Sequence, residues 1–214
     1  MKLKQLFESM PTTKEVVESV LKKYRITNYI INDDLSVDVS GDVNLSKKRL
    51  RTIPIKFAQV DGKFDCSDNQ LITLEGAPRR VGGDFYCDNN ELTSLKDAPR
   101  EVGGNFVCAS NKLTSLKGAP IEVGEGYNCV HNQLSSLKGA SKEVSGDFWC
   151  AVNNLVTLEG APREVGGDFW CYDNLLTSLK GSPDEVGGNF NCYNNPKLVT
   201  HDGIGNVAGG IFSR

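Results

Sequence analysis

The side chains in this sequence best suited to chemistry are its seven cysteines, and their spacing decides what they can do. Cys66, Cys87, Cys108, Cys129, Cys150, Cys171 and Cys192 follow one another at intervals of 21 residues. A structural zinc site draws its ligands from close pairs that fold onto one tetrahedron, whereas a long uniform interval places sulfurs in single file. An odd count leaves any disulfide framework incomplete, and neighbouring rungs of a sheet hold cysteines poorly for an unstrained bridge. The cysteines therefore read as small buried hydrophobes kept as thiols, which implies a reducing, cytoplasmic compartment. His131 and His201 are the two histidines, and neither has a nucleophile beside it in sequence. The P-loop, G-x-S-x-G and H-E-x-x-H patterns are missing. Asn32-Asp33-Asp34 lacks the EF-hand spacing, and the Gly-Gly-Asp-Phe segments lack the further Gly and Asp of calcium-binding β-rolls. The expectation is a non-enzymatic chain with no catalytic residues, no metal and no cofactor.

The cysteines belong to a larger periodicity that must position whatever the protein uses. The third residue after each Cys is Asn, from Asn69 to Asn195. The fifth and eighth are Leu in six repeats, beginning with Leu71 and Leu74. An aromatic precedes each Cys by two residues, from Phe64 through Tyr127 to Phe190, and a Val precedes it by six, from Val60 to Val186. Phe-x-Cys alternates with period two, which predicts a short strand with Phe and Cys inward. Gly-Gly and Gly-Ala-Pro segments bend the chain. Within 21 residues there is no room for a full helix, and one coil cannot bury its inner face alone. Stacked coils bury a continuous core under a parallel sheet. The Asn amide is expected to bond backbone groups of its own coil and the next.

Phe-x-Cys-x-x-Asn-x-Leu resembles the L-x-L-x-x-N-x-L core of leucine-rich repeats. The short period with Leu-x-Gly-Ala-Pro is similar to the repeats of bacterial effector proteins. The Cys-bearing unit with Leu-Thr-Ser-Leu, Gly-Ala-Pro and Val-Gly-Gly looks like uncharacterised leucine-rich proteins of tailed bacteriophages. The resemblance covers residues 45–214. It implies a β-rich α+β solenoid, a right-handed leucine-rich-repeat coil with a parallel concave sheet and an N-terminal helical cap. The effector members carry a further ubiquitin-ligase domain, which this chain lacks.

The ends break the pattern. A degenerate coil keeps the spacing with Leu45 where Cys would stand, so the solenoid is placed at 45–214, one degenerate coil plus seven repeats. Residues 1–44 read as a helical cap followed by a β-hairpin or first rung. Leu3, Leu6, Phe7 and Met10 share one helical face. Thr12-Thr13-Lys14-Glu15 reads as a capping box, with Val16, Val20, Leu21 and Tyr24 at helical spacing. Near the other end the last unit carries an extra residue, and His201 falls where the second Leu belongs. Gly209-Gly210-Ile211-Phe212 predicts one more strand, with Arg214 last and an open edge suited to homo-oligomerisation. No run of apolar residues is long enough to span a membrane, and Glu8 interrupts the only apolar run near the N-terminus, which argues against a secretory signal.

Function must lie where the repeat varies. Between Phe and Cys stand Asp65, Tyr86, Val107, Asn128, Trp149, Trp170 and Asn191. Just after Cys stand Ser67, Asp88, Ala109, Val130, Ala151, Tyr172 and Tyr193, and just before Phe stand Lys63, Asp84, Asn105, Gly126, Asp147, Asp168 and Asn189. These positions face away from the core. Trp149, Trp170, Tyr172 and Tyr193 are expected to form one aromatic patch, with Tyr86 further along. Asp65, Asp68, Asp84, Asp88, Asp147, Asp168 and Asp173 give the face an acidic character. A bland alternative is that large side chains merely cover the sheet, yet Val107, Ala109 and Ala151 show that small ones serve. Exposed aromatics rimmed by charge have the composition of a protein-binding surface. With a net charge of −3, nothing overall favours nucleic acid, since phosphates would meet carboxylates. Lys96, Lys117, Lys138 and Lys180, with Glu75 and Glu159, read as a solvated stripe on another side. The partner is thus expected to be a basic protein, with self-association through the C-terminal edge as the alternative.

Overall fold

The computed structural model describes residues 10–199 and 202–213; Leu3, Leu6, Phe7, His201 and Arg214 lie outside that range. The protein is a parallel β-solenoid, with one helix among the described residues. Each coil carries two short strands rather than the single one expected from Phe-x-Cys. One ends on the repeated Val, as in Glu101–Val102, and the other begins on the aromatic, as in Phe106–Val107. The Gly-Gly bend separates them. It leaves both Val102 and Phe106 facing inward, 2% and 0% exposed. A four-residue interval looked like a bend in the sequence because two-residue strands are too short to show alternation.

Stacking the coils makes two kinds of ladder. The Phe strands form one nine-stranded sheet from Val43–Asn44 to Ile211–Phe212, each strand pairing with the coil 21 residues on. Inside it the aromatic rings from Phe64 to Phe190 follow one another at centroid distances of 5.1 to 5.8 Å. All seven cysteines are free and buried beside them. Burial pushes each thiol well above its ordinary pKa, so the sulfurs are unreactive packing atoms. The paired leucines, such as Leu71 and Leu74, close the core at 0% exposure.

The repeated asparagine ties coil to coil. Asn90 Nδ2 donates to the carbonyls of Cys66, Cys87 and Asp88 at 3.0 to 3.1 Å, and its Oδ1 accepts the Leu71 amide at 2.9 Å. The same set recurs at Asn111, Asn153, Asn174 and Asn195. The coil reached is the preceding one, not the following one. One residue before each Asn the backbone turns left-handed, from Asp68 at φ 53° to Asn194 at 51°. Asp, Asn, Ser and His fill most of these positions, but Val152 also sits there at φ 55°. A β-branched residue in that region costs about 1–2 kcal/mol.

The Val strands form six-stranded and four-stranded sheets, interrupted between Glu122–Val123 and Glu143–Val144. Two unusual side chains coincide there. Ser145 replaces the first glycine of the bend, where a Cβ at Gly124 would lie 2.1 Å from the Gly103 carbonyl oxygen. Ala208 occupies the same position yet keeps its amide bond to Val186 at 2.9 Å, so a Cβ alone does not open the ladder. In the interrupted coil Ser141 also replaces proline, and its hydroxyl donates to the Pro120 carbonyl at 2.9 Å.

The N-terminal segment closes the first coil as expected. The helix Lys14–Lys23 buries Val17, Val20 and Leu21 against the core, with Val16 and Tyr24 half-buried. The capping box does not form: the helix begins after Thr13, one residue later than the box requires, and Thr13 makes no side-chain cap. Both readings of the following segment hold. Tyr29–Ile31 and Val37–Val39 are an antiparallel hairpin, and Val37–Val39 is also the first parallel rung. Both sheets thus begin within the segment 1–44. At the other end Ile211–Phe212 forms the expected final strand.

Tyr127 alone interrupts the phenylalanine ladder. Its hydroxyl is buried without a hydrogen-bond partner, and burial, then the nearby Cys108, Cys129 and Cys87 thiols, push it far above its usual pKa. Removing an unsatisfied buried hydroxyl recovers its desolvation cost. Tyr127→Phe is expected to stabilise the fold by about 1–2 kcal/mol in urea unfolding; a loss of stability would show that the hydroxyl is satisfied.

Candidate functional site

The outer face of the Phe sheet carries the variable positions, and the pleat explains why: a side chain between inward Phe and inward Cys must point out. In register along the sheet run Asn128, Trp149, Trp170, Asn191 and Phe212. Phe212 extends the aromatic row, at 52% exposed. Sequence reasoning found its strand but left it off the face, because the extra residue in the preceding coil masks its place in the period.

The aromatics are gathered, but not as freely exposed as expected. Trp149, Trp170 and Tyr172 are half-buried, whereas Tyr193 is 52% exposed. Trp170 and Tyr172 meet edge to face, with centroids 6.2 Å apart at 89°. The Trp149 ring lies over Gly126 of the preceding coil, its Cζ3 3.0 Å from where a Cβ would be. A side chain at 126 would push the indole off, so the glycine shapes the patch. Ala151, although outside the core, is fully covered. The Trp170 Nε1 is buried without a partner. Tyr86 lies apart from this group, with Lys63 over its ring at 5.3 Å and its hydroxyl donating to Asp84 at 3.1 Å.

Several of the aspartates serve the fold as well as the face. Asp84 Oδ1 accepts the Asn105 amide of the next coil at 2.9 Å, Asp147 accepts that of Asp168 at 2.7 Å, and Asp168 that of Asn189 at 2.6 Å. Asn105 and Asn189 make the same bond to Gly126 and Gly210. The mixture of Asp and Asn at one repeat position was the available signal: what the position requires is a carbonyl-type acceptor, not charge. Asp65 accepts the Ser67 backbone amide at 3.1 Å and its hydroxyl at 2.7 Å, and Asp173 accepts from the Asn194 side chain.

The electrostatics follow from these contacts. Burial alone would raise the Asp84 carboxyl, but the Asn105 backbone and side-chain amides and the Tyr86 hydroxyl outweigh it and hold the group below the usual 3.8. At Asp88 burial wins, with Asp68 and Asp65 adding to it, and the carboxyl is raised. Among the described residues no three His, Cys, Asp or Glu side chains are placed to hold a metal ion, and no helix is long and apolar enough to cross a membrane. A cleft of about 740 Å³ follows the interrupted Val ladder, lined by Ile121, Glu122, Ser141, Lys142 and Glu143, and brings together no nucleophile and base.

Asp84 separates the structural use of this row from its charge. Its stabilising contribution is present above the unfolded pKa and is lost as pH falls through the lower folded value. Asp84→Asn keeps the acceptor and is expected to leave neutral-pH stability within about 0.5 kcal/mol, while Asp84→Ala costs about 1–2 kcal/mol. Urea unfolding between pH 3 and 7 checks both, and equal losses for the two variants would refute the ladder.

No family model, curated protein or solved structure matches the chain.

Proposed function

We propose that this solenoid is a non-enzymatic interaction module that binds a protein partner through the outer face of its Phe sheet. Trp149, Trp170, Tyr172 and Tyr193 serve as anchors, continued by Phe212. The carrying observation is that this face holds more aromatic surface than the fold requires. Val107 and Asn128 fill the position of the tryptophans in neighbouring coils, under an equally closed core. Rigid aromatics grouped on a sheet are what binding hot spots use. Asp65, Asp88 and Asp173, with the outer oxygens of Asp84, Asp147 and Asp168, steer a basic partner.

In the finer reading the coil is a short leucine-rich repeat whose sheet is the concave surface, as its likeness to tailed-phage proteins implies. A basic host or defence protein, met in a reducing cytoplasm, is then the natural target. An acidic surface of this kind competes with nucleic acid for a basic site.

Affinity capture from host lysate followed by titration of the recovered protein tests the face. The double variant Trp149→Ala, Trp170→Ala is expected to weaken binding by at least about 25-fold, or 2 kcal/mol. Asp147→Asn with Asp168→Asn, which keeps the ladder, slows association at low salt. Unchanged affinity in the tryptophan variant would discard this surface.

The exposed Ile211 and Phe212 favour self-association as a second reading: among the described residues their strand is paired on one side only. Sedimentation is expected to show a mass that rises with concentration and returns to monomer in Ile211→Lys; a constant monomer mass would reject it.

A further inference from the structure

The first coil differs from those that follow in one respect that the core does not explain. Its arc reads Lys47-Lys48-Arg49-Leu50-Arg51, and the end of the helix reads Lys22-Lys23-Tyr24-Arg25. Folding brings the two segments together. Lys23 and Arg25 on one wall and Lys47 and Lys48 on the other line a single cleft of about 710 Å³, with Tyr24 between them and Asp42 the one carboxylate. Asp42 is itself engaged, its Oδ1 accepting the Lys63 amide at 2.8 Å.

The fold does not ask for these cations. Lys48 holds the place that Asn occupies in every later coil. That Asn works by reaching the coil before it, and Asn69 already does so here, accepting the Lys48 and Leu50 amides at 3.0 Å each. With no coil of this kind before it, position 48 is released from the ladder. Lys47 stands at the left-handed position, φ 57°, where later coils place Asp68, Asn89 or Ser110. Lysine is a poor choice for that backbone. Lys47 has one loose ion pair, 3.9 Å to Asp68, and among the described residues Arg25, Lys48, Arg49 and Arg51 have no ion-pair partner. Lys23 lies 5.0 Å over the Tyr24 ring. Cations concentrated here, in a chain of net charge −3, make one end strongly positive while the sheet face is acidic.

We propose that this cleft binds the sugar–phosphate backbone of a single-stranded nucleic acid. About three consecutive phosphates lie between its two walls. Opposed cationic walls match a thread of negative charge better than a flat bilayer, which needs a projecting basic surface with apolar anchors. The volume is that of a pocket seating one small ligand, so a single strand enters and a duplex does not. The overall charge, which argued against nucleic acid, confines binding to this end and makes it weak and sensitive to salt.

Fluorescence anisotropy of a labelled eight-nucleotide oligothymidylate tests the proposal, titrated with the whole chain from low to physiological salt. The expected slope of log affinity against log salt is about −2, near −0.7 for each of three phosphates. Lys47→Gln with Lys48→Gln is expected to weaken binding at least about tenfold and to flatten the slope by about 1.4. Both side chains are exposed, so circular dichroism and the unfolding midpoint stay unchanged. Trp149→Ala with Trp170→Ala leaves oligonucleotide binding intact, which separates this site from the aromatic face. No saturable binding at low salt, or equal binding by the lysine variant, would overturn the proposal. Polyglutamate or phosphatidylserine vesicles held as tightly as the oligonucleotide would overturn it too, by assigning the patch to an acidic protein or a membrane.

Discussion

A buried asparagine amide, repeated once per coil, is the interaction on which this structure depends. A narrow solenoid turns its backbone sharply after each Phe strand, leaving carbonyls that point inward and cannot reach water. Left unpaired, each would cost about 1–3 kcal/mol. Asn90 answers three of them with one Nδ2 and uses its Oδ1 to hold the Leu71 amide of the coil before. Donor and acceptor in one short planar group make this possible, and neither Asp nor Leu could replace it. The hydrophobic ladders of Phe, Cys and Leu then pack on a scaffold whose spacing the amides have set.

The same economy shapes the outside of the sheet. The residue before each aromatic ties one coil to the next through a side-chain oxygen, so Asp84, Asn105, Asp147, Asp168 and Asn189 are one structural row whatever their charge. Function on this face must therefore come from what the row does not require. The tryptophans, Tyr172, Tyr193 and Phe212 qualify, because smaller or polar residues hold the same positions elsewhere under an intact core. Where the row lacks a side chain, at Gly126, the Trp149 indole moves into the space.

Departures from the repeat mark the places with freedom to differ. The Val ladder opens where Ser141 and Ser145 change both ends of one strand, although the Phe sheet beside it continues without interruption. Its in-register rings and asparagines hold the stack while the other side relaxes. At the first coil the asparagine has no earlier coil to reach, and a lysine takes its place. Solenoids distribute stability among neighbouring units, so an end or an interrupted coil departs from consensus at a cost confined to one interface.

Much of this was present in the spacing of a few residue types. Seven cysteines 21 residues apart, each followed by Asn and a pair of Leu, determined a stacked coil with thiols, rings and leucines inside, because a chain with that period has one way to bury them. The helix over the first coil and the strand at Ile211–Phe212 followed from amphipathic spacing and glycine placement. Tertiary structure alone decided the rest. Two-residue strands carry no periodicity, so the second strand at each Val exists only through its pairing with the next coil. Whether an aspartate steers a partner or accepts a neighbour's amide depends on a bond spanning 21 positions. The charges of Lys23 and Lys47, 24 residues apart in the chain, share a cleft only because the helix folds back onto the first coil. Local sequence specifies which faces must be buried; the contacts that assign a role to an exposed side chain are made across coils, where only the folded chain brings them within reach.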